Sequence, residues 1–216
     1  AMVKERSVSV IVNCAAYTNV DKAESDYDTA NLINNTAAGN LATAMKEAGG
    51  TLIHISTDYV FQGDRNTPCQ EDWATNPLGV YGKTKLAGEA AIATTGCNSI
   101  IIRTAWLYSQ WGKNFVKTMA ALSDRCADPG DALNQVTVVD DQFGRLTFTR
   151  DMAEGIFWLL GYRDGEKGPS SPCVYGTYNL TGSGKVASWA DIAAKAFELR
   201  NGNADAVKPV STAEYY

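Results

Sequence analysis

The 216-residue chain holds five cysteines and a single histidine, and what it has little of narrows its chemistry first. Cys14, Cys69, Cys97, Cys126 and Cys173 are odd in number and scattered, and none forms a C-x-x-C pair. Neither a disulfide framework nor a zinc site is expected from that spacing, and a reducing, cytoplasmic setting is the default. No apolar run approaches the ~20 residues of a membrane span; clusters such as Ile156-Phe157-Trp158-Leu159-Leu160 are far shorter. The opening Ala1-Met2-Val3-Lys4-Glu5-Arg6 is charged and runs straight into a strand pattern, unlike a secretory leader. There is no basic block either. Nineteen Lys and Arg stand against 24 Asp and Glu, a formal charge of −5. General nucleic-acid binding, which needs a positive surface, is therefore not expected. A small anionic ligand, which needs only a few local cations, is still compatible. Internal repeats and low-complexity tracts are absent.

What is present is ordinary globular material, 45% apolar and 20% charged. A chain of this length makes one domain, or one with a small appendage. It buries roughly 70% of its unfolded surface and needs no covalent staple.

Short β-branched runs alternate with longer helical stretches. Strands are expected at Val8–Val12, Leu52–Ile55 and Ser99–Ile102, with helices over 28–48 and about 80–94 between them. That order implies right-handed crossovers and a parallel sheet with helices on both faces, and the unrelieved apolar strands fit burial on both sides. The second half is less regular. Helices are expected over 114–123, 149–162 and 187–200, the last capped by Ser188. Strands are expected over 136–139 and 174–180, and loops over 126–134 and 165–172. The tail from Pro209 to Tyr216 shows no clear element.

In a parallel α/β sheet, ligands sit beyond the carboxyl ends of the strands. Three successive strand ends here carry polar clusters: Asn13-Cys14-Ala15-Ala16-Tyr17-Thr18, Ser56-Thr57-Asp58-Tyr59-Val60-Phe61 and Arg103-Thr104-Ala105-Trp106-Leu107-Tyr108. Their convergence on one edge is a stronger signal than any one of them, each of which could be a plain helix cap. Then comes Tyr81-Gly82-Lys83-Thr84-Lys85. Positions i and i+4 share a helix face. A nearby ammonium lowers the pKa of a phenol, so the pair is a candidate general acid.

These motifs, with Lys85-Leu86-Ala87-Gly88-Glu89 and Asp141-Gln142-Phe143-Gly144, resemble the dTDP-4-dehydrorhamnose reductase family of extended short-chain dehydrogenases/reductases. The resemblance runs over about residues 8–200. It implies a partial Rossmann-type sheet over 1–112 and a mainly substrate-binding portion over 113–216, with about 136–162 and 174–180 packing back on the sheet. It also implies NADPH-dependent reduction of a nucleotide-sugar 4-ketone in rhamnose biosynthesis, with NADH the alternative cofactor. The family's opening strand and G-x-x-G-x-x-G turn have no counterpart in this sequence. The chain is therefore expected to be an N-terminally truncated portion of such a reductase. By itself it should be inactive and should self-associate over exposed sheet edges. A fused epimerase domain is a further expectation for the parent. Leu146 stands where the family has proline.

By resemblance, Tyr81 is the proton donor, Lys85 lowers its pKa and holds the nicotinamide ribose, and Thr57 orients the carbonyl. Asn13, Ala15, Ala16, Tyr17, Thr18 and Ser56 line the cofactor. Asp58, Tyr59, Trp106, Asn114, Asp141, Gln142 and Gly144 face the substrate. Lys113 and Arg145 are candidate pyrophosphate contacts, with plain surface charge the alternative. Asn34 resembles a buried asparagine bracing the site, with an ordinary exposed helix position the alternative. His54, between Ile53 and Ile55, is read as structural. No metal site is expected. Two other functions compete: an epimerase or dehydratase of the same superfamily, against which Tyr59 speaks because dehydratases carry Glu there, and a non-catalytic regulatory subunit.

Overall fold

A computed structural model describes residues 2–64, 67–162 and 174–215. The first half runs α1 (Met2–Glu5), β1 (Val10–Asn13), α2 (Val20–Ala23), α3 (Tyr27–Asn31), a π-helical turn (Leu32–Thr36), α4 (Ala37–Ala48), β2 (Thr51–Thr57), a 3-10 turn (Asp58–Val60), α5 (Val80–Thr95) and β3 (Asn98–Thr104). It continues through β4 (Leu107–Tyr108), α6 (Phe115–Ala127), β5 (Val136–Val139), β6 (Phe143–Gly144), β7 (Thr147–Phe148) and α7 (Thr149–Leu159). It ends with β8 (Gly176–Asn179), β9 (Ala187–Ser188), α8 (Trp189–Asn201), a 3-10 turn (Ala204–Ala206), β10 (Val207–Val210) and α9 (Thr212–Tyr215). Two compact units result, 1–104 with 156–180 and 105–155 with 181–216.

The first unit is a parallel sheet in the order β1-β2-β3-β8. Strand residues alternate faces. Leu52 and Ile101 pack with Ala38, Ala42 and Met45 of α4 and Ile92 of α5. By the same alternation His54 and Ser56 continue that helix-facing side of β2. Ile53, Ile100 and Ile102, on the other side, are also fully buried.

The expected single helix over 28–48 is broken by the π turn. Gly88 explains why α5 can lie against that turn: a Cβ there would clash with the Asn34 carbonyl oxygen. Gly82 serves likewise near the N-terminal end of α5, where a Cβ would clash with the Tyr59 carbonyl oxygen. The start of α5 has only Gly79 as its N-cap, so the cap comes from elsewhere: the Val80 N–H donates to the Glu24 carboxylate at 2.7 Å. A carboxylate suits a helix N-terminus because unpaired N–H groups and the dipole both favour it.

The second unit packs α6 and α8 over β5 and β10, around Met119, Val136, Val138, Ala193, Phe197 and Val207. Ser188 caps α8 through a reciprocal capping box with Asp191. Two expectations are corrected here. Residues 136–139 do not join the four-stranded sheet; they pair in parallel with Val207–Val210, because the tail that carried no clear signal supplies a strand and then a short helix. Strand β3 ends at Thr104 and the second unit begins at Ala105, upstream of the boundary expected near residue 112. The loop expected over 165–172, and Cys173, lie outside the described residues.

Candidate active site

In the first unit, β2 and α5 bring together the side chains that the sequence set 24–28 residues apart. Thr57 ends β2 and caps the turn that follows, its hydroxyl oxygen accepting from the Tyr59 N–H at 3.2 Å. The same hydroxyl donates to Asp58 at a long 3.3 Å. Tyr59 meets Tyr81 edge-on, ring centroids 5.6 Å apart. Burial pushes the Tyr81 phenol above its ordinary pKa, and the nearby Asp58 and Tyr59 push the same way; a hydrogen bond with Thr57 is what opposes them. Desolvation also lifts the Asp58 carboxyl, to about 6.

Lys85 lies one turn further along α5, but its two hydrogen-bond partners lie elsewhere than Tyr81. Its ammonium turns to the sheet instead, donating to the Ile55 carbonyl at 2.6 Å and lying 3.2 Å from His54 Nε2. Only 1% of the residue is exposed. Burial brings its pKa down to about 8, with Glu89 pulling the other way. A lysine has three donors. Donation to the Ile55 carbonyl and the contact with His54 leave one Nζ hydrogen uncommitted for a hydroxyl such as a cofactor ribose.

The loop after β1 is held by Asn34, fully buried in the π turn. Its amide accepts from the Tyr17 N–H at 2.8 Å and donates to the Tyr17 carbonyl at 3.2 Å and to Thr84 at 3.1 Å. That pins the Ala15–Thr18 loop to α5. Ala15 and Thr18 are exposed and Ala16 and Tyr17 half-buried. Asn13, at the end of β1, is buried and faces inward: its Oδ1 accepts from the Ala15 N–H at 3.1 Å and its Nδ2 lies 3.0 Å from His54 Nδ1.

Ser56, expected on the cofactor side, donates to Glu89 instead. Glu89 takes a fork of three bonds from Arg103, the shortest 2.7 Å, with both side chains over nine-tenths buried. Arg103 also donates to the Glu71 carbonyl and lies over the Phe61 ring. His54, Glu89 and Arg103 were not singled out as site residues. The signal was available: Tyr81, Lys85 and Glu89 recur at i, i+4 and i+8, and His54 and Ser56 share a strand face. A cavity of about 160 Å³ lined by Phe61, Cys69, Trp73 and Asn76 contains none of the candidate residues.

In the second unit, Trp106 adopts a left-handed φ of 49° and stacks on Trp189 at 3.7 Å between centroids. Gly144 lies so close that a Cβ would come within 2.8 Å of the Trp106 ring. Asn114 caps α6, accepting from the Lys117 N–H, and donates to the Ser109 carbonyl. Both Asp141 oxygens are taken by Thr212, which also accepts from Gln142. Arg145 donates to the Gly184 carbonyl.

Among the described residues, no group of three or more His, Cys, Asp or Glu could hold a metal ion, no helix is long and apolar enough to cross a membrane, and the four cysteines are free thiols. A family model described as RmlD substrate binding domain matches residues 1–216. The dTDP-4-dehydrorhamnose reductase of Sinorhizobium fredii is 40% identical over 217 residues, covering 99% of this chain and 69% of the relative. The enzyme of that name from Burkholderia thailandensis is 39% identical over 188 residues, covering 87% of this chain and 60% of the relative. A crystal structure of dTDP-4-dehydrorhamnose reductase from Bacillus anthracis in complex with NADP superposes with a TM-score of 0.86 at 38% identity, covering 99% of this chain and 70% of that one. The chain thus spans between 60% and 70% of the length of these proteins.

Proposed function

Because the chain belongs to the dTDP-4-dehydrorhamnose reductase family, we propose that it carries the proton-donating and substrate-side portions of an enzyme reducing the 4-keto group of dTDP-4-dehydro-L-rhamnose to dTDP-L-rhamnose. The observation behind this reading is the joint placement of Thr57, Tyr81 and Lys85 by β2 and α5. NADPH, when bound, would supply the hydride. The chain's own groups fit such a cofactor: a buried amine with one uncommitted donor, and a loop of small residues fastened by Asn34.

Tyr81 would give its proton to the sugar C4 oxygen. A phenol raised above its ordinary value is fully protonated at neutral pH, which is the form a donor needs. Thr57 would orient that oxygen; its 3.3 Å contact with Asp58 is weak enough for a substrate acceptor to replace. Asp58 and Tyr59 would face the sugar. In the second unit, the side chains of Asn114 and Asp141 are committed to their own loops. Their proposed substrate-side role is therefore to shape those loops, with Trp106, Gln142 and Gly144 on the same side. The absence of a membrane-length helix and the free thiols among the described residues support a cytoplasmic setting. Self-association is proposed through the edge strand β1, where Val12 is 41% exposed, and through the exposed Phe157 and Trp158; light scattering that shows a stable monomer rejects it.

The decisive assay is NADPH oxidation with dTDP-4-dehydro-L-rhamnose, using this chain extended at its N-terminus to the length of its relatives, beside its Tyr81→Phe variant. Turnover falling by about 10²–10⁴ in the folded variant is expected for loss of a general acid. No turnover from a folded, cofactor-binding wild type would move the assignment to another sugar or to a regulatory role.

A further inference from the structure

Between the sheet and α5 lies a chain of polar groups, Ala15 N–H, Asn13, His54 and Lys85, whose mutual hydrogen bonding the proposed reaction leaves unexplained. Its hydrogens can be counted. The Ala15 N–H donates to Asn13 Oδ1 at 3.1 Å, which fixes the amide so that Nδ2, a donor only, faces His54 Nδ1 at 3.0 Å. His54 Nδ1 must then be the acceptor. A neutral imidazole has one N–H and one lone pair, so its hydrogen sits on Nε2, pointing at Lys85 Nζ 3.2 Å away. An ammonium has no lone pair to receive it, whereas a neutral amine has one. With His54 and Lys85 both buried, a hydrogen left without an acceptor between them is costly.

The two protonation states of Lys85 therefore require two arrangements of its neighbours. With Lys85 as an amine, Nε2–H donates to Nζ and the rest stays as described. With Lys85 as an ammonium, the imidazole must carry its hydrogen on Nδ1, and the Asn13 amide must turn over and release the Ala15 N–H. We propose that His54 is a positioning residue for Lys85, whose charge, the tautomer of His54 and the orientation of Asn13 change together as one coupled unit. The chemistry follows from geometry alone. One proton on Nζ is exchanged with solvent or with a bound partner, while the imidazole keeps one hydrogen throughout.

The neighbouring charges agree. Lys85 faces His54 of β2, whose pKa its charge lowers, and Glu89 of its own helix, which raises the Lys85 pKa and is itself paired with Arg103 of β3. Lys85 with its pKa near 8 can change charge in the physiological range, whereas His54, held near 3 by burial and by Lys85, cannot take a second proton there. The inference deepens the proposed reduction, since Lys85 is the group assigned to the ribose. Its test needs neither cofactor nor substrate, so the two can fail separately.

His54 is the only histidine, so the imidazole ¹⁵N resonances of the uniformly labelled chain report on it alone. Two-bond ¹H–¹⁵N correlation spectra from pH 6 to 10 should show Nε2 protonated and Nδ1 bare at the alkaline end. The two should exchange roles as pH falls through about 8, with no imidazolium formed. In Lys85→Met that step should vanish, leaving the alkaline tautomer or a pH-independent mixture. Should that variant not fold, Asn13→Asp, which sets an acceptor opposite Nδ1, should hold the Nδ1–H form across the whole range. Unchanged His54 resonances from pH 6 to 10 in the wild type overturn the proposal. So does a step that survives in Lys85→Met, or an Nε2–H form that persists in Asn13→Asp.

Discussion

At the residue scale, the cluster that joins α5 to β2 and β3 depends on charges that cannot be left alone. Glu89 and Arg103 are both over nine-tenths buried and satisfy one another with Ser56 and the Glu71 carbonyl as further partners. Such a pair is weak evidence of net stabilisation, but removing one member strands the other in a low dielectric. Arg103→Met should therefore lower the unfolding free energy by about 3–5 kcal/mol, read from urea midpoints. Glu89→Gln should do nearly as much. The double variant Glu89→Gln/Arg103→Met should fall well short of the sum of the singles, because both damages share one cause. Additive losses would show that the two side chains act separately. The ring of Phe61 beneath the guanidinium makes Arg103→Lys a poor rescue, since a point ammonium cannot reproduce the fork or the stacking.

At the element scale, the site depends on how closely α5 approaches the π turn. Gly88→Ala drives a methyl into the Asn34 backbone oxygen, and backbone cannot step aside as a side-chain tip can. A loss of about 1–3 kcal/mol is expected from that overpacking. Gly39→Ala is the control: its methyl meets only the Ala91 methyl at 3.3 Å, and the higher helix propensity of alanine, worth about 1 kcal/mol, offsets the crowding. Equal losses in both variants would remove the special role of the α5–π contact. This contact also shows where the sequence was legible. The Ser/Thr strand end, the Y-x-x-x-K spacing and the parallel sheet could be read because they rest on local periodicity and fixed offsets. The π turn could not. Apolar spacing over 28–48 fits an unbroken helix, and the one extra residue per turn is imposed by Asn34 reaching Tyr17 and Thr84 at a distance. The same holds for β10: Val207-Lys208-Pro209-Val210 has no strand signature of its own, and its partner β5 lies some seventy residues earlier. Asp141 and Asn114 matched family motifs, yet nothing in a motif says whether a carboxylate or an amide points at a ligand or fastens its own loop.

At the scale of the whole molecule, the chain carries a formal charge of −5 and a pI near 4.9. Rising pH adds negative charge, and self-repulsion alone would make the fold less stable on the alkaline side. Two buried bases predict the opposite. His54 is held near pKa 3 against 6.5 when exposed, and Lys85 near 8 against 10.5. In each case the unfolded chain binds the proton more readily, so acidification favours unfolding. For His54 the stabilising effect is complete above pH 6.5 and is lost as pH falls from there toward 3. For Lys85 stability still rises between pH 8 and 10.5. Each full proton of difference is worth about 1.4 kcal/mol per pH unit. Asp58 works against His54: its carboxyl, raised to about 6, holds its proton better in the folded chain, which favours the fold as pH drops from 6 toward 3.8. Asp58 keeps solvent-exposed surface as a residue although its carboxyl is partly desolvated, so water screens part of its effect and His54 governs the acid limb. Urea unfolding from pH 4.5 to 9.5 should thus show stability rising with pH up to about 6.5, nearly level to about 8 and rising again beyond it, with a slope below one proton near pH 5. Asp58→Asn should steepen that stretch of the curve by removing the opposing carboxyl, and His54→Gln should flatten it. A stability that falls from pH 7 to 9.5 would mean either that surface repulsion outweighs the buried amine or that Lys85 keeps an ordinary lysine pKa inside the fold.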